Sequence, residues 1–229
     1  MKAAFLFSGQ LRGFNHCLPS LQKHLFDKFE ESDKFCFCVY DDITRIDEIK
    51  QLEPKSIVFE EDFHHIIEKF VNPNNQITYS KGRIAHNGYE LKGRMQHYFL
   101  QWYGVKRAYE MMESFAVHQG KTYDLVFRIR FDSCPKQDLD LSNIKLDHIN
   151  VPDFEHWFGL HDRFACGNMD NMKVYCKKYE SFTSNNLGLG NSESRLKQHL
   201  ENHNIPVNKI DFYYTRVHND GTLQNGMAN

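Results

Sequence analysis

The sequence predicts an α/β fold with a mainly parallel central sheet flanked by helices, on the strength of three observations. Continuous apolar runs at residues 3–7 and 35–40 are typical of strands covered on both faces, as in a parallel sheet. A turn with two glycines, Gly9 and Gly13, follows the first run and leads into an apolar stripe at helical spacing. The 229 residues can bury a substantial core, so we expect one domain.

The first unit of the chain is predicted to be strand, turn and helix. The strand covers residues 3–7, the loop 8–13 reads Ser-Gly-Gln-Leu-Arg-Gly, and the helix is predicted over 19–30 because proline is tolerated in a first helical turn. Gly9 would let the backbone approach a ligand, and Arg12 could reach a diphosphate. The loop is neither Gly-x-Gly-x-x-Gly nor a P-loop, so a plain βα turn with a surface arginine is the alternative.

The next segment supplies two strands, a loop and a long helix. A strand over 35–40 ends at Asp41, where acids of parallel sheets accept hydrogen bonds from a ribose or base, although solvated loop acids are the alternative. Further elements are predicted as a strand over 56–60, a helix over 62–70, a polar loop over 71–88 and a core helix over 91–117.

The central strand is predicted at residues 123–132, which read Tyr-Asp-Leu-Val-Phe-Arg-Ile-Arg-Phe-Asp. Strand side chains alternate, so one face is apolar and the other carries Arg128, Arg130 and Asp132. Because arginine is costly to bury alone, that face must open onto water, internal acids or an anionic ligand. Asp132 could hold a divalent metal and the phosphates it neutralises. An ordinary half-exposed strand with a solvated face is the alternative.

The remaining residues are predicted to form short elements and an aromatic loop. We expect strands at 149–152 and 207–214, a small strand within 161–167, helices over 170–182 and 192–203, an aromatic loop at 153–159, a glycine-bearing loop at 185–190, and a polar tail from Thr215.

Composition excludes several classes of protein. The 28 basic and 30 acidic residues leave a formal charge of -2, so we expect no nucleic-acid partner. The six cysteines form no Cys-x-x-Cys pair, which favours reduced thiols and a cytoplasmic location over disulfides or zinc. No apolar run has the length of a signal peptide or membrane span, so we expect no transmembrane segment.

Four segments together carry a resemblance to a known family. They are Ser-Gly-Gln-Leu-Arg at 8–12, the aromatic, glutamine-containing helix at 96–108, the strand at 123–132, and Asp-Arg-Phe-Ala-Cys-Gly at 162–167. With them the chain resembles small glycosyltransferases of bacterial surface-polysaccharide clusters and large DNA viruses. The resemblance covers most of the chain.

The resemblance implies a GT-A fold, a single Rossmann-like domain over residues 1–229. Its half 1–132 would bind a nucleotide-diphospho-sugar, and its half 133–229 a glycan acceptor. Such enzymes usually hold Mn²⁺ or Mg²⁺ with an Asp-x-Asp motif, where this chain has Arg-Phe-Asp and the single acid Asp132. Asp132 would be the first metal ligand, and His218 would be the second, since these enzymes often supply a late histidine.

The residues expected to bind the donor lie in the first loop, after the second strand and on the central strand. They are Ser8, Gly9, Gln10, Arg12, Asp41, Arg128 and Arg130. Either a divalent cation or arginine can neutralise the departing diphosphate. An inverting reaction also needs a carboxylate to accept the proton of the acceptor hydroxyl, and Asp162 is our choice, with Asp153 and Glu155 as competitors.

Three other functions are alternatives to the transfer of a sugar from a UDP- or GDP-sugar. An inactive module that binds a nucleotide-sugar or glycan would explain the missing acid. A sugar nucleotidyltransferase normally has a glycine-rich loop with Arg or Lys after the first strand, and Arg12 is the single cation there. A fucosyltransferase-like protein needs two Rossmann domains, for which 229 residues are too few.

Overall fold

The computed structural model describes residues 1–39, 43–60, 77–80, 83–86, 89–91, 94–181 and 191–223. The strands are β1 (Lys2–Gly9), β2 (Glu31–Val39), β3 (Ser56–Glu60), β4 (Ile77–Ser80), β5 (Arg83–His86), β6 (Tyr89–Leu91), β7 (Leu125–Ile129), β8 (Ser133–Pro135), β9 (Ile149–Pro152), β10 (Ala165–Gly167), β11 (Val207–Ile210) and β12 (Tyr214–Arg216). The α-helices are α1 (Phe14–His24), α2 (Ile46–Lys50), α3 (Arg94–Gln119), α4 (Met169–Cys176) and α5 (Ser192–Asn202). Short 3₁₀ turns lie at Phe26–Lys28, Ile43–Arg45, Leu141–Asn143 and Lys177–Ser181.

A seven-stranded sheet organises the described residues, in the order β11, β9, β10, β7, β1, β2 and β3. Strands β3, β2, β1 and β7 are parallel neighbours, and β9 and β11 form another parallel pair. Strand β10 runs antiparallel to both β7 and β9. The prediction of an α/β fold with a mainly parallel sheet flanked by helices is therefore confirmed.

Strand β7 is the buried centre of this sheet, since all five of its residues are buried. On one face, Phe127 stacks on Phe5 with ring centroids 4.9 Å apart. On the other, Val126 packs in a cluster with residues of α3 and α4, and Arg128 follows two residues later on the same face. The predicted alternation is confirmed for Leu125–Ile129, but the strand is shorter than predicted and ends before Arg130 and Asp132. The alternative of a half-exposed strand with a solvated face is wrong.

Helix α1 begins earlier than the sequence predicted. It starts at Phe14 after Gly13, whose φ of 59° is left-handed, and Pro19 lies inside it instead of in its first turn. Phe14, Cys17 and Leu21 form its buried stripe, and their burial outweighs the hydrogen bond that Pro19 cannot donate. The predicted continuation to residue 30 is replaced by the 3₁₀ turn after His24.

Two further regions differ from their predictions. The expected loop at 71–88 contains β4 and β5, which pair antiparallel with each other, and β5 also pairs with β6. Backbone pairing between adjacent short segments does not depend on an apolar side-chain pattern. The expected polar tail contains β12, which pairs antiparallel with β8. The predicted helix at 62–70, the loop at 185–190 and Asp41 lie outside the described residues.

The cysteines and helices agree with two expectations from composition. All six cysteines are buried and unbonded to one another. None of the helices within the described ranges combines the length and apolar character that a membrane crossing requires.

Candidate functional site

The candidate site lies where β1 and β7 end and the segment leading into β10 begins. Phe7 of β1 pairs with Ile129 of β7, and Arg128 pairs with Ala165 of β10. Because β10 is reversed, residues that precede it, such as Asp162, lie at the edge where β1 and β7 have their carboxyl ends. This is the edge at which open α/β sheets bind ligands.

Arg128 is buried at this edge without a hydrogen-bonding partner. The residue is 1% exposed, and all three guanidinium nitrogens lack a partner among the described residues. Burial lowers the pKa of Arg128, and the nearby Tyr175 of α4 has a buried hydroxyl that is unpaired in the same way. Buried polar groups in folded proteins are nearly always paired. The arrangement therefore suits an anionic ligand that Arg128 and Tyr175 would contact.

Asp132 holds two arginines just beyond the end of β7. Its carboxylate accepts hydrogen bonds from Arg130 at 2.7 and 2.9 Å, and from Arg216 of β12 at 3.1 and 2.9 Å. Burial opposes ionisation of Asp132, which is 1% exposed, but the charges of Arg130 and Arg216 hold the pKa of Asp132 well below its usual range. One carboxylate is thus shared by two guanidinium groups, and one positive charge is in excess. Sequence analysis did not identify Arg216 as a site residue.

Asp162 is a buried carboxylate close to the charge of Arg128. It is 4% exposed and accepts a hydrogen bond from Gln101 of α3 at 2.8 Å. Burial opposes its ionisation, but the Arg128 charge and hydrogen bonds from Ser192 and Gln101 lower the pKa of Asp162. Asp162 is therefore ionised at neutral pH and fixed in place.

Glu193, in the first turn of α5, is a second carboxylate of this region. Its backbone carbonyl accepts a hydrogen bond from Leu160 at 3.1 Å, and the adjacent Ser192 hydroxyl accepts one from the Trp102 indole at 3.2 Å. Burial, together with the charge of Asp162, raises the pKa of Glu193 to about 7. Sequence analysis identified this segment as a capped helix and missed Glu193 as a site residue.

His161 and Tyr214 support the segment that carries Asp162. The Nδ1 of His161 donates to the Phe154 carbonyl at 2.9 Å, so its Nε2 accepts from the Tyr214 hydroxyl. Burial lowers the pKa of His161 to about 3, and the ring is neutral at pH 7. His161 therefore orients the loop without adding a charge to the site.

The aromatic loop before Asp162 has a strained backbone and exposed rings. Glu155, Trp157 and Phe158 have φ values of 51°, 41° and 67°, which non-glycine residues rarely adopt. Trp157 is 52% exposed and Phe158 is 95% exposed, while Asn191 donates to the Trp157 carbonyl at 2.6 Å. Such strain is found at ligand-binding sites, and the rings are accessible for stacking on a sugar.

Lys178 is a buried basic side chain on the side of the site formed by α3. It is 1% exposed, donates to the Tyr98 hydroxyl, and has its ammonium group 4.7 Å from the Trp102 ring centroid. Burial and the nearby charge of Arg195 lower the pKa of Lys178 to about 6. Lys178 is thus largely neutral at pH 7, and the sequence did not single it out.

The residues predicted in the first loop differ in their exposure. Ser8 is buried at the end of β1, Gln10 is half-buried, and Arg12 is exposed. Gly9 has a φ of 120°, and no atom of the described residues lies within 4 Å of the place where a Cβ would stand. Gly9 therefore leaves room for a ligand to approach the backbone.

The expected ligands for Mn²⁺ or Mg²⁺ do not fit a metal ion in this arrangement. Both oxygens of Asp132 accept hydrogen bonds from arginine, so a cation there would meet two guanidinium charges. His218 is exposed, although Val217 beside it donates its backbone N–H to the Asp132 carbonyl at 3.0 Å. No group of three or more His, Cys, Asp or Glu in the described part of the chain could hold a metal.

Comparison with known proteins relates nearly the full chain to one family. No curated protein matches the chain. Residues 1–219 match the family described as Domain of unknown function (DUF7796). Because the match covers most of the 229 residues, the chain belongs to the DUF7796 family.

Proposed function

We propose that this protein is a glycosyltransferase that moves a sugar from a UDP- or GDP-sugar to a hydroxyl of a glycan acceptor. The observation that carries the proposal is the buried, unpartnered guanidinium of Arg128 close to the ionised Asp162 at the ligand-binding edge of the sheet. Sugar transfer leaves negative charge on the departing diphosphate, and a fixed cation in a water-excluded site stabilises that charge.

The donor would bind across the ends of β1 and β7 in a GT-A-like arrangement. The open space at Gly9 lets a phosphate approach the backbone, with Arg128 on the neighbouring strand β7 and Arg130 directly after its end. Ser8 and Gln10 flank Gly9 and would contact the same donor. The mainly parallel sheet with one reversed strand supports this assignment, in which residues 133–229 bind the acceptor.

The acceptor would bind beside the strained aromatic loop. Trp157 and Phe158 offer exposed rings for stacking on a sugar, and Asp162 and Glu193 lie next to the same segment. Two carboxylates whose pKa values are pushed apart are typical of acid–base assignments. We propose that Glu193, whose pKa is about 7, accepts the proton of the acceptor hydroxyl and that ionised Asp162 balances the charge of Arg128.

A binding module without catalysis is the second candidate function. The observation that favours it is Asp132, which stands where the family resemblance expects a metal ligand but is hydrogen-bonded to Arg130 and Arg216. Such a module would bind a nucleotide-sugar or glycan through the same residues and release it unchanged.

A thermal-shift panel followed by a turnover assay tests the proposal. UDP, GDP, CMP and their sugar conjugates are added to the protein with and without Mn²⁺. A ligand at a hundred times its Kd stabilises the fold by about 2.7 kcal/mol, which raises the melting temperature measurably. Release of nucleotide from the stabilising conjugate supports a transferase, saturable binding without release supports the module, and no shift with any nucleotide contradicts both donor-site assignments.

A further inference from the structure

We infer that the anionic group of the donor is neutralised by guanidinium groups alone, and that Asp132 holds Arg130 and Arg216 for this purpose and binds no metal. The inference deepens the proposed function, on which it rests for the identity of the anion as a diphosphate. Arg216, which lies in β12 near the end of the sequence, would therefore bind the same nucleotide-sugar as Gly9, which lies near its start.

The hydrogen bonds of Asp132 are the first observation against a metal ion at this residue. Oδ1 accepts from Arg130, and Oδ2 accepts from both Arg130 and Arg216. The carboxylate is 1% exposed, so its remaining lone pairs have no access to solvent. A divalent cation bound there would have to displace both arginines and leave their charges uncompensated in a buried place, which is strongly unfavourable.

The balance of charge around Asp132 and Asp162 is the second observation, and it favours an anionic ligand. Arg128, Arg130 and Arg216 bring three positive charges, and Asp132 and Asp162 bring two negative ones. Arg163 is paired with Glu155, His161 is neutral, and Glu193, with a pKa of about 7, is only partly ionised at neutral pH. Positive charge is therefore left over among the three guanidinium groups, and the fully buried Arg128 has no hydrogen-bonding partner among the described residues. An anion that accepts hydrogen bonds from Arg128 would satisfy both the charge and the donors.

The planar shape of the guanidinium groups favours a phosphate as the anion. A guanidinium group is planar and has five N–H donors, which suits the oxygens of a phosphate. Asp132 binds Nε and Nη2 of both Arg130 and Arg216, so it orients each group and does not use its Nη1. Arg128 lies in β7 and Arg130 directly follows the end of that strand, so their charges lie close together at one edge of the sheet. Neighbouring cations suit the two linked phosphates of a nucleoside diphosphate or of inorganic pyrophosphate.

The test measures binding of inorganic pyrophosphate and of UDP and GDP by titration calorimetry, once in EDTA and once in Mn²⁺. We expect saturable binding in EDTA, with an affinity that Mn²⁺ changes by less than about twofold. Arg216→Gln should weaken pyrophosphate binding about tenfold or more, the usual effect of losing a hydrogen bond between charged groups. Arg107→Gln is the matched control, since Arg107 pairs with Glu110 on α3, and its affinity should equal that of the wild type.

Three results would overturn the inference. They are the absence of pyrophosphate binding in EDTA, an affinity raised about tenfold or more by Mn²⁺, and an Arg216→Gln variant that binds normally. Should Arg216→Gln fail to fold, electron paramagnetic resonance of Mn²⁺ with wild-type protein and pyrophosphate is an independent measurement, and a protein-bound Mn²⁺ ion would also overturn the inference. Pyrophosphate binding in EDTA without any sugar transfer would contradict the proposed function and leave this inference standing.

Discussion

The guanidinium group of Arg128 has no hydrogen-bonding partner among the described residues. Its effect on ligand affinity can therefore be measured separately from its effect on the stability of the fold. Arg128→Met keeps an apolar stem of similar length and removes the buried charge. We expect pyrophosphate affinity to fall about tenfold or more. The free energy of unfolding should stay within about 1 kcal/mol of the wild type or rise, because an unpaired buried charge is unfavourable for folding.

Urea denaturation and titration calorimetry on the same preparations check both parts of the Arg128 prediction. Arg107→Gln again serves as control, since its side chain is 40% exposed and pairs with Glu110 on the surface of α3. A variant that loses more than about 3 kcal/mol of stability but binds pyrophosphate normally would make Arg128 a structural residue.

Replacement of Asp132, unlike that of Arg128, is expected to lower the stability of the fold. Asp132→Asn leaves two guanidinium groups without a countercharge and turns one acceptor into a donor. We expect a loss of about 3–5 kcal/mol at pH 7, as for other broken buried ion pairs. Because Arg130 and Arg216 lower the folded-state pKa of Asp132, its stabilisation is present above the unfolded pKa of about 3.9 and is lost as pH falls below it.

Urea denaturation of Asp132→Asn and wild-type protein at pH 7 and near pH 3 measures this dependence. The difference between them should be largest at pH 7 and should shrink in acid. Equal stability of the two proteins at pH 7 would show that the shared carboxylate does not hold β12 in place.

Glu193 and Asp162 predict different pH profiles for sugar transfer. If Glu193 accepts the proton, its pKa of about 7 makes kcat/KM fall about tenfold for each pH unit below that value. Glu193→Gln should then lose about a hundredfold or more in rate and lose the pH dependence. If Asp162 is the base, the lowered pKa of Asp162 keeps the rate constant down to about pH 4.

Sequence analysis identified the candidate side chains whose position follows from the residues next to them in the chain. Arg128, Arg130 and Asp132 were identified because a strand places alternate residues on one face, and Asp162 because it is a loop acid beside an aromatic segment that could stack on a sugar ring. Arg216 was missed because its contact with Asp132 joins residues 84 positions apart in what looked like a polar tail. Glu193 was missed because its unusual pKa comes from burial and from Asp162, neither of which a helix-cap pattern indicates.

Among the structural elements, the loop from β9 to β10 is fixed against the start of α5 at Gly159. A Cβ at Gly159 would lie 2.0 Å from the backbone C and O atoms of Glu193. Gly159→Ala must therefore push the loop away from α5, and we expect a loss of about 1–3 kcal/mol or more. The same displacement would move Asp162 relative to Glu193 and lower any transferase activity.

The Gly159 prediction is checked by urea denaturation, with Phe158→Ala as the control in the same loop. Phe158 is 95% exposed, so its replacement should change stability by less than about 0.5 kcal/mol. A Gly159→Ala variant of wild-type stability would show that the loop and α5 can separate freely.

Elements were predictable where burial and local pattern agree. Strands β1 and β9 were expected from short segments rich in apolar residues, and both are buried along most of their length. Strand β3 was expected as well, although its residues are only half-buried. Helix α1 was misplaced because the preference of proline for a first turn is weaker than burial of Phe14 and Cys17 against the core. Strand β12 could not be expected, since Tyr214–Arg216 becomes a strand by pairing with β8.

For the whole molecule, the central sheet and both cores draw residues from the two predicted halves. One core joins Leu6 and Phe37 with Tyr175 and Leu196, and the other joins Phe5 with Phe164 and Phe212. Strand β10, from the second half, is hydrogen-bonded to β7, from the first. The halves that would bind donor and acceptor are therefore not expected to be stable apart.

This shared core predicts that the chain unfolds in one cooperative transition. Trp102 of α3 donates its indole N–H to Ser192 of α5 at 3.2 Å, so its fluorescence reports on contact between the halves. In Trp157→Phe, Trp102 is the remaining tryptophan, and its unfolding midpoint in urea should coincide with that measured by far-UV circular dichroism. Exposure of Trp102 at lower urea than the loss of ellipticity would mean that the halves separate first, because each would then keep its secondary structure without the other.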